Sequence, residues 1–287
     1  MAIHNVTVIG AGLMGRGIAH VAALGGYRTT MVDVTDEILQ AALANIRSEM
    51  EKGVARGKLS AEAKDKALAQ LTLATSPEKA AQDADLIIEA VPEDMKIKTD
   101  TFTRLDKAAP AHTILASNTS SMSVTEMAAV TGRAPRFLGM HFFNPVHKMK
   151  LLEIVSGLET TKETIQIAEQ VGKQMGKETV VVSEAPGFIT SRINAMIGNE
   201  AFYMLQEGVA TAEDIDKACK LGLNHPMGPF EMADLVGLDT RLHVLEYLHK
   251  TLGEKFRPSP LLVQYVKAGR LGRKTGRGVH DYTQKKF

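Results

Sequence analysis

Residues 4–34 read HNVTVIGAGLMGRGIAHVAALGGYRTTMVDV, and the fold turns on how that stretch is parsed. Val6, Val8 and Ile9 form a short apolar run of the kind a buried strand uses. The run breaks into Gly10-Ala11-Gly12-Leu13-Met14-Gly15, and helix-compatible residues continue to about Gly25. Residues 28–32 read as a second strand that ends on Asp33. Strand, glycine turn, helix, strand and acid stand in the order and near the spacing of a dinucleotide-binding unit.

Each residue type there has a mechanical reason. Gly10 permits the tight turn out of the strand, Gly12 lets a pyrophosphate approach the backbone, and Gly15 lets the helix pack closely on the sheet. The helix start at Leu13 and Met14 presents unpaired N–H groups and a positive dipole end to phosphates. Asp33 is placed to accept hydrogen bonds from the adenosine ribose, and its charge repels a 2′-phosphate, so NAD is expected over NADP.

Strand and helix patterns alternate outward from this unit. Leu39, Leu43, Ile46, Met50 and Val54 recur at three- and four-residue steps, marking one face of a long helix. Residues 71–74, 85–91 and 113–116 read as further strands, with helices between them. Ser76-Pro77-Glu78 and Ser123-Val124-Thr125-Glu126 mark helix starts. The alternation predicts a Rossmann-type, doubly wound, mostly parallel sheet. Residues 136–143 and 150–155 are strand-like but too closely connected for a parallel crossover, so that pair is expected to be antiparallel. A helix over 163–175 and a strand over 179–182 precede Ser183-Glu184-Ala185-Pro186-Gly187, the expected boundary between an α/β domain, 1–184, and an all-α domain, 185–287. In the second domain helices are expected over 188–207, from 211, over 230–252 and over 261–268.

A net charge of about +1 argues for no nucleic acid or membrane partner. Cys219 is the single cysteine, which excludes an intrachain disulfide and points to a reducing, cytoplasmic compartment. No signal peptide or membrane-length apolar stretch is read, and no His/Cys/Asp/Glu group has metal-ligand spacing.

A dinucleotide fold holds a hydride carrier, but alcohol oxidation also needs a base. His141 in Gly139-Met140-His141-Phe142-Phe143-Asn144-Pro145 ends a strand in apolar surroundings. Alone it reads more readily as a satisfied core histidine. Glu153, inside Leu151-Leu152-Glu153-Ile154-Val155, is costly to bury unless partnered. If the two strands form a hairpin, the two residues face each other as a base and its orienting acid. Ser120, after a strand end, offers a hydroxyl to the reacting centre or simply opens a helix. Glu93 and Lys98 lie just past a strand's C-terminal end, where open α/β sheets bind ligands. His147, His225 and His243 show no acid partner in the sequence.

VIGAGLMGRGIA, IIEAVPED, ASNTSS, HFFNPV, LLEIV, APGFITSR, HPMGPFEMADLVGLD and GRKTGRG together resemble the 3-hydroxyacyl-CoA dehydrogenase family over essentially the whole chain. The resemblance implies NAD-dependent, reversible oxidation of an L-3-hydroxyacyl-CoA, with a short-chain substrate such as 3-hydroxybutyryl-CoA expected. It implies that His141 is the general base, that Glu153 orients it, and that Ser120 contacts the substrate's 3-oxygen near the nicotinamide. Glu93, Lys98, Asn144 and Lys274 then match NAD-contacting positions. A homodimer through the helical domain and an active site between the two domains are also implied. One position departs from the pattern: Ser191 stands where the family carries a substrate-positioning Asn. For the nucleotide end of CoA, Lys52 and Arg56 are the candidates, against the alternative of a solvated charged face. A dehydrogenase of a non-CoA hydroxy acid and a non-catalytic NAD-binding protein remain as other readings.

Overall fold

The computed structural model describes residues 2–283, in two compact units that divide between Glu184 and Ala185. The first unit starts with β1 (Asn5–Ile9), α1 (Leu13–Leu24) and β2 (Arg28–Val32). In α2 (Asp36–Ala55) the Thr35 side chain accepts from the Ile38 amide, and Asp36 and Glu37 sit at the positive end of the dipole. Its buried face carries Leu39, Ala42, Ile46 and Met50. Each such side chain, fully removed from water, contributes about 1.5–3 kcal/mol when it is a large aliphatic. Then follow α3 (Ala61–Ala69), β3 (Leu71–Ala74), α4 (Pro77–Ala81), β4 (Leu86–Glu89), α5 (Met95–Ala108), β5 (Ile114–Ser117) and α6 (Val124–Ala129). Ser60, Ser76, Asp94 and Ser123 cap the four helices through their side-chain oxygens. The unit closes with β6 (Phe137–Phe142), β7 (Leu151–Ser156), α7 (Lys162–Gln174) and β8 (Glu178–Ser183).

The eight strands form one sheet in the order β3-β2-β1-β4-β5-β6-β7-β8. Every pairing is parallel except β6 with β7. The chain winds outward from β1 to β3 and then returns to β4 on the other side of β1, so the connections diverge between β1 and β4. At such a switch point the C-terminal strand ends open a crevice. Val6, Val8, Ile18, Ile88, Leu138, Met140 and Ile154 fill the core of this unit.

The second unit contains α8 (Thr190–Gln206), α9 (Ala212–Gly222), α10 (Pro229–Val236), α11 (Leu238–Leu252) and α12 (Pro260–Lys267). Its core joins Ala195, Phe202, Phe230, Leu238, Leu245, Leu248, Phe256 and Leu262, and the Phe202 and Phe230 rings meet edge to face at 5.1 Å. Two expectations are corrected here. The single helix expected over 230–252 is two helices, because Gly237 takes φ +103°, a left-handed conformation that ends α10. The helix expected from 188 begins at Thr190, because Gly187 and Phe188 both have positive φ.

Candidate active site

The glycine turn is built around close backbone approach. Gly10 has φ +99°, and a Cβ there would lie 2.7 Å from the Ala90 carbonyl oxygen. A Cβ on Gly15 would lie 1.7 Å from the Gly10 carbonyl oxygen, so α1 packs against the turn at a distance that only glycine permits. A Cβ on Gly12 would meet nothing within 4 Å. Gly12 is the N-cap of α1 and has no side chain to occupy the helix's leading amides. Space in front of unspent N–H groups is what a pyrophosphate requires. Asp33 is tied to the same turn: its carboxylate accepts from the Ala11 amide at 2.6 Å and the Val34 amide at 2.7 Å. Each oxygen keeps lone-pair capacity for a ribose hydroxyl. These residues fit NAD, and Gly10, Gly12, Gly15 and Asp33 would hold it.

Beside the turn, at the end of β4, lies a buried charge network. Glu89 is fully buried and accepts from Lys98 Nζ at 2.8 Å, the Ser117 hydroxyl at 2.6 Å and the Val91 amide at 2.7 Å. Complete burial pushes its carboxyl up despite those donors. Lys98 is 1 % exposed and also reaches Glu93 at 3.1 Å. Burial pulls the ammonium down, but the two carboxylates outweigh it and hold it above the ordinary lysine value. Burial pushes Glu93 up, whereas Lys98 and the Thr119 and Ser120 donors bring it below the usual carboxylate range. Lys98 is therefore enclosed between Glu89 and Glu93. Glu93 in turn accepts from the Thr119 hydroxyl at 2.6 Å and from the Ser120 amide at 3.0 Å, fixing the loop that carries Ser120. Asn118, in that loop, accepts from the Phe142 amide at 3.0 Å and joins it to the end of β6.

His141 and Glu153 stand directly opposite each other in the antiparallel β6–β7 ladder. Side chains of directly paired residues project to the same face of the sheet. His141 Nδ1 and Glu153 Oε2 are 2.7 Å apart, with the two residues 6 % and 1 % exposed. The Phe143 ring lies 4.4 Å from the imidazole, centroid to centroid. Asn144, expected at the cofactor, is exposed in the segment that follows.

The remaining expectations are distributed. Lys52 is exposed and paired with Glu49 at 2.7 Å, and Arg56 is exposed at the end of α2. Glu49 also lies 3.4 Å from His147, so the acid partner that the sequence did not reveal for His147 comes from α2. His147 stacks on His20 at 5.3 Å beside a cavity of about 300 Å³ lined by α1, α2 and residues 144–148. In the helical unit Ser191 lies in the first turn of α8, and Lys274 pairs with Asp239 at 2.6–2.7 Å. Sequence reasoning passed over Glu89, although an acid inside the apolar run Leu86-Ile87-Ile88 is the same signal that singled out Glu153. It also passed over His280, which lies 2.7 Å from Asp216. No helix among the described residues is long and apolar enough to cross a membrane.

A switch-point glycine turn, an acid bound to that turn and a histidine–carboxylate pair across neighbouring strands are the parts of a nicotinamide-dependent dehydrogenase. The 3-hydroxyacyl-CoA dehydrogenase NAD-binding domain profile matches residues 5–185, and the C-terminal domain profile of the same family matches residues 187–282. The chain belongs to the 3-hydroxyacyl-CoA dehydrogenase family. It is 46% identical over 286 residues to a probable 3-hydroxybutyryl-CoA dehydrogenase of Bacillus subtilis, covering 99% of both chains. It is 45% identical over 281 residues to the 3-hydroxybutyryl-CoA dehydrogenase of Bradyrhizobium diazoefficiens, covering 98% of this chain and 96% of the relative. The crystal structure of (S)-3-hydroxybutyryl-CoA dehydrogenase from Ralstonia eutropha superposes with a TM-score of 0.95 at 43% identity, covering 99% of this chain and 100% of that one.

Proposed function

We propose that the protein catalyses the reversible, NAD-dependent oxidation of a short-chain L-3-hydroxyacyl-CoA, such as 3-hydroxybutyryl-CoA, to the 3-ketoacyl-CoA. The observation that carries this reading is the 2.7 Å contact between His141 Nδ1 and Glu153, set by strand register. With Glu153 accepting from Nδ1–H, Nε2 is the basic nitrogen of the ring. His141 then takes the C3 hydroxyl proton through Nε2, and Glu153 stabilises the imidazolium that results. The Ser120 hydroxyl donates to the 3-oxygen, on a loop whose position Glu93 sets. NAD, when bound, supplies the hydride acceptor. Asp33 orients its ribose, and Asn144 and Lys274 are assigned to it through the family pattern. Ser191 faces the substrate, and Lys52 and Arg56 are assigned to the nucleotide end of CoA.

The test is NADH absorbance with acetoacetyl-CoA as substrate. Oxidation of NADH by the wild type, lost in His141→Ala, is the expected result. An inactive wild type would remove this substrate class, and an active His141→Ala would remove the proposed base.

A homodimer through the helical unit belongs to the same proposal. Ile193, Leu221 and Leu223 are 56%, 76% and 65% exposed there, more apolar surface than a solitary bundle usually leaves to water. Sedimentation equilibrium should return twice the chain mass. A monomer at micromolar concentration would reject this part.

A further inference from the structure

Besides Lys98, the first unit buries a second ammonium, and the proposed chemistry does not use it. Lys177 stands between α7 and β8 on a fixed stretch of backbone. Its amide donates to the Gly172 carbonyl at 2.9 Å, and the next amide, of Glu178, donates to the Lys150 carbonyl at 2.8 Å. The residue is 6 % exposed. Its Nζ donates to the Val146 carbonyl and, at 2.8 Å, to the Met149 carbonyl. Burial, with no carboxylate among the described residues offsetting it, holds the ammonium below the ordinary lysine value. An apolar side chain would fill this space without the cost of taking a charge out of water. What the charge adds is two strong hydrogen bonds to the connection between β6 and β7.

The same connection is seated against α1. Val146 is 2 % exposed, and a Cβ on Gly17 would lie 2.7 Å from its Cγ2 and 2.9 Å from its Cβ. Gly17 thus leaves a notch in α1 that Val146 occupies, and a β-branched side chain is too stiff to swing clear of an added methyl. The Lys148 and Met149 amides donate to the Pro145 carbonyl at 2.9 and 3.0 Å, which ties residues 145–149 into one turn. Asn144 leads into that turn, three residues after His141. Leu13, Arg16 and Gly17 of the cofactor helix line one cavity of about 300 Å³ together with residues 144–148.

We infer that Lys177 is a positioning residue for the cofactor: by holding the Val146 and Met149 carbonyls it keeps Val146 in the Gly17 notch, and so sets where Asn144 stands relative to the helix that carries the pyrophosphate. The inference rests on the assignment of Asn144 to NAD. His141 and Glu153 are placed by the β6–β7 ladder instead, so the base does not depend on this clamp. Loss of the clamp therefore weakens cofactor binding and spares the chemical step.

The test measures Kd for NADH by fluorescence titration of the full chain, and separately kcat with NADH and acetoacetyl-CoA both saturating. Lys177→Met keeps a chain of similar length and removes the donors. It should weaken NADH binding by about 5- to 10-fold, with kcat within about threefold of wild type. Gly17→Ala disturbs the same contact from α1 and should weaken NADH binding by a similar factor. An unchanged Kd in Lys177→Met overturns the inference. So does a fall in kcat with Kd unchanged, which is the mark of a lysine that only stabilises the fold. If Lys177→Met does not fold, Gly17→Ala decides, and wild-type affinity for NADH in that variant overturns the inference. The titration needs no turnover, so a wild type that binds NADH but leaves acetoacetyl-CoA unreduced would remove the dehydrogenase reading while the Kd values still decide the role of Lys177.

Discussion

Two histidines in this molecule each sit 2.7 Å from a carboxylate: His141 beside Glu153 in the sheet, and His280 beside Asp216 in the helical unit. Their surroundings differ. Asp216 also accepts from the Phe230 and Glu231 amides at the start of α10. Asp234 accepts from the Val279 and His280 amides and from the Tyr282 hydroxyl. Glu213 lies 3.7 Å from the other ring nitrogen of His280. The His280 site is thus a clasp that fastens residues 278–282 to α9 and α10, and its acids are committed to backbone donors. Glu153 instead reaches His141 from the facing strand, among the apolar neighbours Leu152 and Ile154. A histidine–carboxylate contact by itself says little about function; what separates these two pairs is what they join, facing strands of one sheet in the first case and residues 278–282 to two helices in the second.

The sharpest way to break this distinction is to truncate each histidine. His141→Ala should lower kcat by about 10²–10⁴-fold in the NADH assay, and should also cost about 1–3 kcal/mol in urea unfolding because buried Glu153 loses this partner. His280→Ala should lose about 1.5–3 kcal/mol in urea unfolding with kcat within a few-fold of wild type. Equal losses of activity in both variants would show that the contrast is not real.

pH offers a finer test. The hydrogen bond to Asp216 holds His280 above the ordinary histidine value, against the opposing effect of burial, with Asp234 and Glu213 adding to the upward shift. Its folded pKa exceeds its unfolded pKa of about 6.5, so the full contribution to stability is present below that pH. It disappears as pH rises through the higher folded value. Unfolding midpoints followed from pH 5.5 to 8.5 should therefore fall more steeply for the wild type than for His280→Asn. Parallel curves would show that His280 is not charged in the fold. The smallest effect is expected at Ser191: Ser191→Asn should keep or raise kcat, and a hundredfold fall would give the serine a role of its own.

Much of the catalytic region is legible in sequence because its signals are local or periodic. The glycine turn lies within one strand–helix connection. Glu153 stands out as an acid in an apolar strand, and the short connection to His141 predicts the antiparallel pairing that brings them together. The clasp is not legible in this way. Asp216 and Asp234 sit in helices where acids usually face water, and His280 is 64 residues from the acid it meets. The break at Gly237 was missed for a related reason: a glycine inside an apolar helical pattern is tolerated at about 1 kcal/mol, so sequence periodicity runs straight through it. Only the left-handed backbone in the folded unit shows that two helices meet there.

The β6–β7 register has a consequence for how this site can change over time. Cβ direction alternates along each strand, so inserting or deleting one residue between Phe137 and His141, or between Glu153 and Ser156, would turn one member of the pair to the opposite side of the sheet. Point substitutions can tune such a pair, but length changes within its strands cannot. Residues 143–150, which connect the strands, carry no ladder pairing and are free of that constraint. A length change in that connection leaves the register of the pair intact, whereas one inside either strand does not.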